Sequence, residues 1–225
     1  MKQENTFCFI FCSNDPIFQE ESLKYIRRLE IPEGYYVDIL SVVDASSMAA
    51  GYNEALSVSN AKYKIYLHQD VFIVNTNFLK DLLDIFCYRQ IGMIGMVGVL
   101  SMPMHGVMWY SDRIGKLYTN TILESKVWVE KEFKEAFKEV EAIDGLLMAT
   151  QYDIQWREDL FCGWDFYDVS QCMEFRKRDY KIVVPQQDKP WCIHDEGMNN
   201  LKNYYQERKK FIKEYRSMLT EINES

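Results

Sequence analysis

No apolar run in this 225-residue chain approaches the roughly 18 residues of a membrane-spanning helix, so no segment reads as a span. Basic residues are not in excess either: 26 Lys and Arg against 34 Asp and Glu leave a formal net charge of -8. Affinity for nucleic acid requires a basic face that neutralises phosphates, which removes nucleic acid from the expected partners. The six cysteines, at positions 8, 12, 87, 162, 172 and 192, form no Cys-x-x-Cys pair and no regular framework. Several lie inside apolar runs, so they read as buried free thiols rather than disulfides or a metal knuckle. The apolar stretch Thr6–Cys12 is too short for a secretory h-region with a cleavage site, and a reducing cytoplasm is the expected location.

What the chain does have is apolar and aromatic material: 48% hydrophobic residues and 15% aromatics, far from the signature of disorder. At this length a folded chain buries about 70% of its unfolded surface, enough for one domain with a core and no staples. The fifteen Tyr and five Trp suffice to line a polar ligand site as well as a core.

The order of the runs predicts the architecture. Residues 6–12 form a continuous apolar strand that stops at Ser13-Asn14-Asp15-Pro16, and residues 16–29 follow with the spacing of an amphipathic helix. A second strand is expected over 36–43, ending at Asp44. A helix capped by Ser46 or Ser47 comes next, then a third strand over 63–67 that ends in His68-Gln69-Asp70. Strand, helix, strand, helix, strand is the pattern of a parallel sheet, in which ligands bind beyond the carboxyl ends of the strands. Ser13, Asn14, Asp44 and Asp70 should therefore meet at one edge.

Beyond this point the reading predicts a helix over 77–88, one glycine-broken strand over 91–100, an irregular insertion over 101–122 suited to covering a site, and a helix over 124–141. Strands are expected over 142–149, 181–184 and 191–194. Helices are expected over 166–178 and, with its aromatic residues on one side, over 198–224. The whole, 1–225, is read as one domain with a core over 5–197 and a helical extension over 198–225, which either docks back onto the domain or builds a homodimer.

Three segments then carry the chemistry: His68-Gln69-Asp70, Gly163-Trp-Asp-Phe-Tyr-Asp168, and Cys192-Ile-His194. With Asn14-Asp15, Ala50-Gly-Tyr-Asn-Glu-Ala55, Asp144-Gly145 and Glu174-Phe-Arg176, they make the chain resemble the GT-A glycosyltransferases, in particular the StrF-like, glycosyltransferase-like family related to family 2 enzymes. The resemblance runs from Phe7 to about Gly197. It implies an α/β fold of the GT-A type, a Rossmann-like mixed and mostly parallel sheet flanked by helices, with the C-terminal helix added. It also implies a nucleotide-diphosphate sugar donor, a divalent cation (Mn2+ or Mg2+), and transfer of the sugar to the hydroxyl of a glycan or small-molecule acceptor.

His68-x-Asp70 occupies the slot where that fold usually carries Asp-x-Asp, so His68 departs from the pattern. A divalent ion there neutralises the diphosphate leaving group, and Asp70 and His194 are its expected ligands. By the same resemblance Asp165 is the expected general base, with Asp168 one helical turn further along the same face, and Asp144 meets the sugar or acceptor. Ser13, Asn14, Asp44, Asn53, His68 and Gln69 are the expected donor contacts, and Trp164 is placed to stack on a sugar ring. Arg176 and Arg178 read as ion-pairing residues, and His105 has no motif around it. The expected activity is inverting, metal-assisted glycosyl transfer in polysaccharide, glycolipid or natural-product synthesis. The alternative is a catalytically degenerate nucleotide-sugar-binding or scaffold protein of the same fold. A nucleotidyltransferase would need a glycine-rich basic loop after the first strand, and a Ser or Cys hydrolase a nucleophile elbow; the chain has neither.

Overall fold

The computed structural model describes residues 2–120, 125–129, 131–195 and 201–221. Its first third follows from local chemistry. In β1 (Gln3–Ser13), Phe7, Phe9 and Phe11 point to one apolar layer and Cys8 and Ile10 to the other, as the two-residue strand period requires. α1 (Pro16–Ile26) starts where the Asp15 carboxylate accepts hydrogen bonds from the Ile17 and Phe18 amides. β2 (Tyr36–Val43) pairs parallel with β1, bringing Val43 opposite Ser13. The Ser47 hydroxyl accepts from the Ala50 amide and opens α2 (Met48–Val58), which returns the chain to β3 (Ala61–Leu67), parallel to β1 on its other side.

After β4 (Val71–Ile73) and α3 (Phe78–Phe86), the apolar run over 91–100 divides at Met96 into β5 (Ile91–Gly95) and β6 (Val97–Val99). A 3-10 turn at Met108–Tyr110 precedes β7 (Arg113–Asn120), so the second half of the expected irregular insertion is a strand. The helix expected over 124–141 is replaced by β8 (Ser125–Val129) and β9 (Phe137–Val140); Glu124 and Glu130 lie outside the described residues. β8 pairs antiparallel with β7, Val127 opposite Tyr118 and Val129 opposite Lys116. The β-branched residues there are two apart, which is a strand period, and the surrounding charge suits a strand at the margin of a sheet. The expected strand over 142–149 is interrupted at Asp144-Gly145 and becomes β10 (Ala142–Ile143) and β11 (Leu147–Thr150). α4 (Tyr167–Arg176), β12 (Lys181–Pro185), β13 (Cys192–His194) and α5 (Tyr204–Tyr215) complete the order. Both ends of the helix expected over 198–224, at 198–200 and 222–224, fall outside the described residues.

The main sheet runs β2-β1-β3-β11-β5-β12-β9. It is parallel at β2/β1, β1/β3 and β5/β12, and antiparallel where β11 pairs with β3 and β5 and where β9 joins β12. A second sheet, β10-β6-β7-β13-β4 with β8 beside β7, stands against it. The chain passes between the two sheets several times, among them through His68–Asp70, at Met96, at Glu141 and at Asp144–Leu146.

α5 docks on the domain. Phe211 and Tyr215 are buried in the same cluster as Phe166 and Phe175, and the Tyr215 hydroxyl donates to Glu174 at 3.0 Å. Glu174 also meets Arg157, Lys177 and Arg178. Burial alone would raise its carboxyl, but Lys177, Arg178 and Tyr215 bring it below the ordinary value. Beyond the helix, the Met104 amide donates to the Thr220 carbonyl and the Thr220 amide to that of Met102, tying the C-terminal segment to the 101–112 loop. Among the described residues no helix is long and apolar enough to cross a membrane.

Candidate active site

The turn between β10 and β11 is the floor of the site. The Asp144 carboxylate accepts from the Leu146 amide at 2.8 Å, and the Asp144 amide donates to the Val97 carbonyl, so the turn is fastened to β6. Gly145 lies beneath the first turn of α4: a Cβ there would run into the Tyr167 hydroxyl and come within 2.9 Å of the Asp168 Cβ. Its amide donates to Asp168 Oδ2 at 3.0 Å. Glycine is required here by close approach, not by its dihedral angles.

Phe166 enters α4 with φ of 60°, a left-handed conformation that costs a non-glycine residue about 1–2 kcal/mol. Its ring, packed on Tyr204 and Phe211 of α5, holds it there. This kink takes Asp165 off the helix, so Asp165 and Asp168 are not one turn apart on a single helical face as expected. The N-cap residue Phe166 makes no side-chain cap, and Asp168 Oδ1 instead accepts from the Val169 amide in the first turn at 2.8 Å, so Asp168 serves the helix end while Asp165 does not. Burial, then the neighbouring charge of Asp144, pushes Asp168 up to about 7. Burial, then Glu207, raises Asp165. Carboxyls displaced in this direction inside a cleft are suited to accepting a proton near neutral pH.

A second cluster forms where β3 ends and β13 pairs antiparallel with β4, His194 opposite Val71. The Asp195 amide donates to the Asp70 carbonyl, so the two strand ends are joined. Asp70 Oδ1 lies 3.6 Å from His194 Nε2 and 4.0 Å from His68 Nδ1. It is buried and lacks a hydrogen bond within normal reach. His68 Nε2 meets the Tyr167 hydroxyl at 2.5 Å. Burial, then the neighbouring His194, lowers the pKa of His68. Burial opposes ionisation of Asp70, yet the imidazoles, His194 foremost, bring its carboxyl below the usual value. An ionised carboxylate beside a neutral imidazole is the protonation that a divalent cation needs. One ligand atom from each of His68, Asp70 and His194 lies within 4.8 Å of the others. The orphaned oxygen and the nitrogen and oxygen donors fit a cation.

At the ends of β1 and β2 the expected donor contacts are largely engaged with one another. Gln69 Oε1 accepts from the Ser13 hydroxyl and from the Asn14 and Asp15 amides, while its Nε2 donates to Asn14 Oδ1. Asp44 is exposed at the end of β2, with φ of 57°. Asn53 braces the backbone of Trp156 from both ends of its amide, at 2.8 and 3.0 Å. Arg176 pairs with Glu141 and Arg178 with Glu174, the ion pairs expected of them.

A cleft of about 1090 Å³ opens over the two clusters. Asp144, Asp165, Asp168, Trp164, His68 and His194 line it, and Trp164 is 53% exposed at its mouth. The 101–122 segment supplies Trp109, Arg113 and Thr119, and the start of the C-terminal helical region supplies Lys202 and Tyr204. Tyr167 is the residue that sequence reasoning missed. It stands inside the flagged Gly163–Asp168 segment, but nothing in its neighbours separates a site tyrosine from a core one.

The model of the glycosyltransferase-like family matches residues 8–215. The chain belongs to that family. Solved structures agree on the fold. TarS of S. aureus superposes with a TM-score of 0.61 at 12% identity, over 96% of this chain and 39% of that one. The mannosyltransferase PcManGT of Pyrobaculum calidifontis, in complex with GDP-Man and Mn2+, gives 0.58 at 12% identity over 94% and 64%. TarS 1-349 in complex with UDP-GlcNAc gives 0.57 at 11% identity over 89% and 59%. This member of the glycosyltransferase-like family thus has the GT-A type of fold and spans about two fifths to just under two thirds of the length of these structures. No curated protein matches its sequence.

Proposed function

We propose that this chain transfers a sugar from a nucleotide-diphosphate donor to an acceptor hydroxyl with inversion, assisted by a divalent cation, Mn2+ or Mg2+. The observation that carries the reading is the buried Asp70 oxygen without a hydrogen bond, set between two imidazoles at the edge of the cleft that holds Asp165. Asp70 and His194 hold the ion, which when bound neutralises charge on the departing diphosphate. The face made by Ser13, Asn14, Asp44, His68 and Gln69 receives the donor, with Asn53 acting from behind by bracing Trp156. Trp164 stacks on a sugar ring.

Asp165, outside the helix and raised by its burial, accepts the proton of the acceptor hydroxyl. The hydroxyl oxygen bonds to the anomeric carbon as the bond to the diphosphate oxygen breaks, in one displacement. Asp144 orients the sugar or acceptor, and Asp168, bound to the Gly145 amide, holds the turn that presents it. The acceptor is a glycan or small molecule from polysaccharide, glycolipid or natural-product assembly. Six free thiols support a reducing, cytoplasmic setting. Tyr205, exposed on α5, is the place to seek a homodimer contact.

The test is a thermal-shift panel of UDP-, GDP-, CDP- and dTDP-linked sugars, each with and without Mn2+ or Mg2+. A ligand at 100 times its Kd adds about 2.7 kcal/mol, a readily measured shift. Stabilisation by one nucleotide only when metal is present supports the reading. Binding with no donor hydrolysis or transfer would favour the scaffold alternative, and no binding in any combination would defeat both.

A further inference from the structure

Building on the ion-assisted reading above, we infer that His68 is a third ligand of the cation through Nδ1, with Tyr167 positioning its ring, and that the resulting centre discriminates against Mg2+.

The two nitrogens of His68 face different partners. Nε2 meets the Tyr167 hydroxyl at 2.5 Å, while Nδ1 faces the orphaned Asp70 oxygen at 4.0 Å. In the tautomer that leaves the Nδ1 lone pair for an ion, Nε2 carries the proton and donates it to the tyrosine oxygen. A metal-bound histidine is oriented in this way, by the partner of its second nitrogen. Tyr167 cannot easily swing aside. It is buried at the first position of α4, over the glycine that leaves room for its hydroxyl, with the Tyr52 and Trp156 rings at 6.0 and 6.1 Å. The need for Gly145, the left-handed entry at Phe166 and the orientation of His68 are thus parts of one arrangement.

Ligand chemistry sets the choice of ion. A centre of two oxygen donors, as in Asp-x-Asp, accepts Mg2+; Asp70 with two imidazoles offers one carboxylate and two nitrogens. Mg2+ keeps to oxygen and gives up water reluctantly, whereas first-row transition ions accept imidazole, with affinity rising from Mn2+ towards Cu2+. His68 in place of an aspartate therefore alters the metal preference of the slot rather than abolishing it.

Mn2+ and Mg2+ are titrated into the purified chain by calorimetry, alone and with UDP or GDP. Cu2+ then serves as a probe for pulsed EPR, which counts coordinated imidazoles and is sensitive to the hydrogen bond on the remote ring nitrogen. The wild type is expected to bind Mn2+ at least about 10-fold more tightly than Mg2+ and to show two imidazoles. His68→Gln should lose about 10- to 100-fold in Mn2+ affinity and one imidazole signal. Tyr167→Phe should keep both signals, shift that of one remote nitrogen and lose about 10-fold in affinity. His68→Asp should narrow the gap between Mn2+ and Mg2+. Circular dichroism of the ion-free variants confirms their folding. Ion binding that depends on Asp70 and His194 but is unchanged in His68→Gln would overturn the inference and leave the ion-assisted reading standing. A protein that binds neither ion, with or without nucleotide, would bring down both.

Discussion

The parallel edge of the main sheet and the junction where β10 turns into β11 are both rich in polar side chains, yet they use them in opposite ways. At the ends of β1 and β3, Gln69, Ser13 and Asn14 satisfy one another. At the junction Phe166 is forced into a left-handed conformation and Asp168 is pushed up to about 7, and where the end of β3 is tied to it through the His68 amide and the Leu146 carbonyl, a carboxylate oxygen of Asp70 is left without a hydrogen bond. Unsatisfied and strained groups persist only where the surrounding packing holds them. In the proposed function the parallel edge is the platform for the donor, and the junction with the adjoining end of β3 supplies the reactive groups.

The largest effect should come from removing the orphaned oxygen. Asp70→Ala is expected to abolish metal-dependent nucleotide binding in calorimetry while leaving the protein folded, with a modestly lower melting temperature at neutral pH because the carboxylate loses its favourable interaction with the two imidazoles. Intact ion-dependent binding would erase the contrast between the two regions. Asp165→Asn should keep donor affinity and cost on the order of 100-fold in turnover, as loss of a general base does. Undiminished turnover would move the base to another carboxylate.

A smaller effect separates the regions by pH. The folded pKa of Asp168, about 7, lies above its ordinary value near 3.9, so between these pH values the unfolded chain is ionised while the folded protein keeps the proton. Stability should therefore fall as pH rises from about 4 to about 7 and then level off. Asp168→Asn should flatten that decline in urea titrations across the range, gaining most at pH 8. An unchanged slope would assign the pH dependence to other groups. The smallest effect belongs to the parallel edge. Gln69→Ala removes a partly exposed hydrogen-bonded knot and should cost about 1–2 kcal/mol in denaturation, with Mn2+ affinity little changed.

The same contrast explains what could be read in advance. β1, α1, β2, α2 and β3 were legible because each is set by its own neighbours: alternation in Phe7, Phe9 and Phe11, caps at Asp15 and Ser47, and polar stops between. The runs over 91–100 and 142–149 looked continuous because an apolar pattern does not record which sheet a residue joins, and the change at Met96 depends on partners far along the chain. Charge around Val127 and Phe137 imitated a surface helix until β7 and β12 supplied the pairing. At the site, Asp144, Asp165, Asp168, Trp164, His68 and His194 could be named and do line one cleft. Their mutual geometry was not legible. It depends on the conformation of Phe166 and the space over Gly145, neither of which has a local signature.

Two of the crossings between the sheets, at Met96 and at Asp144–Leu146, are held to each other: Ile143 pairs with Gly98, Met148 with Gly95, and the Asp144 amide bonds to Val97. A fluctuation that freed either sheet would have to break the other at the same place. The amides of this knot should accordingly exchange with solvent only on global unfolding, in step with the slowest protons of the molecule. Asp144 thus belongs to the segment expected to open last, which keeps its carboxylate in place at the floor of the cleft.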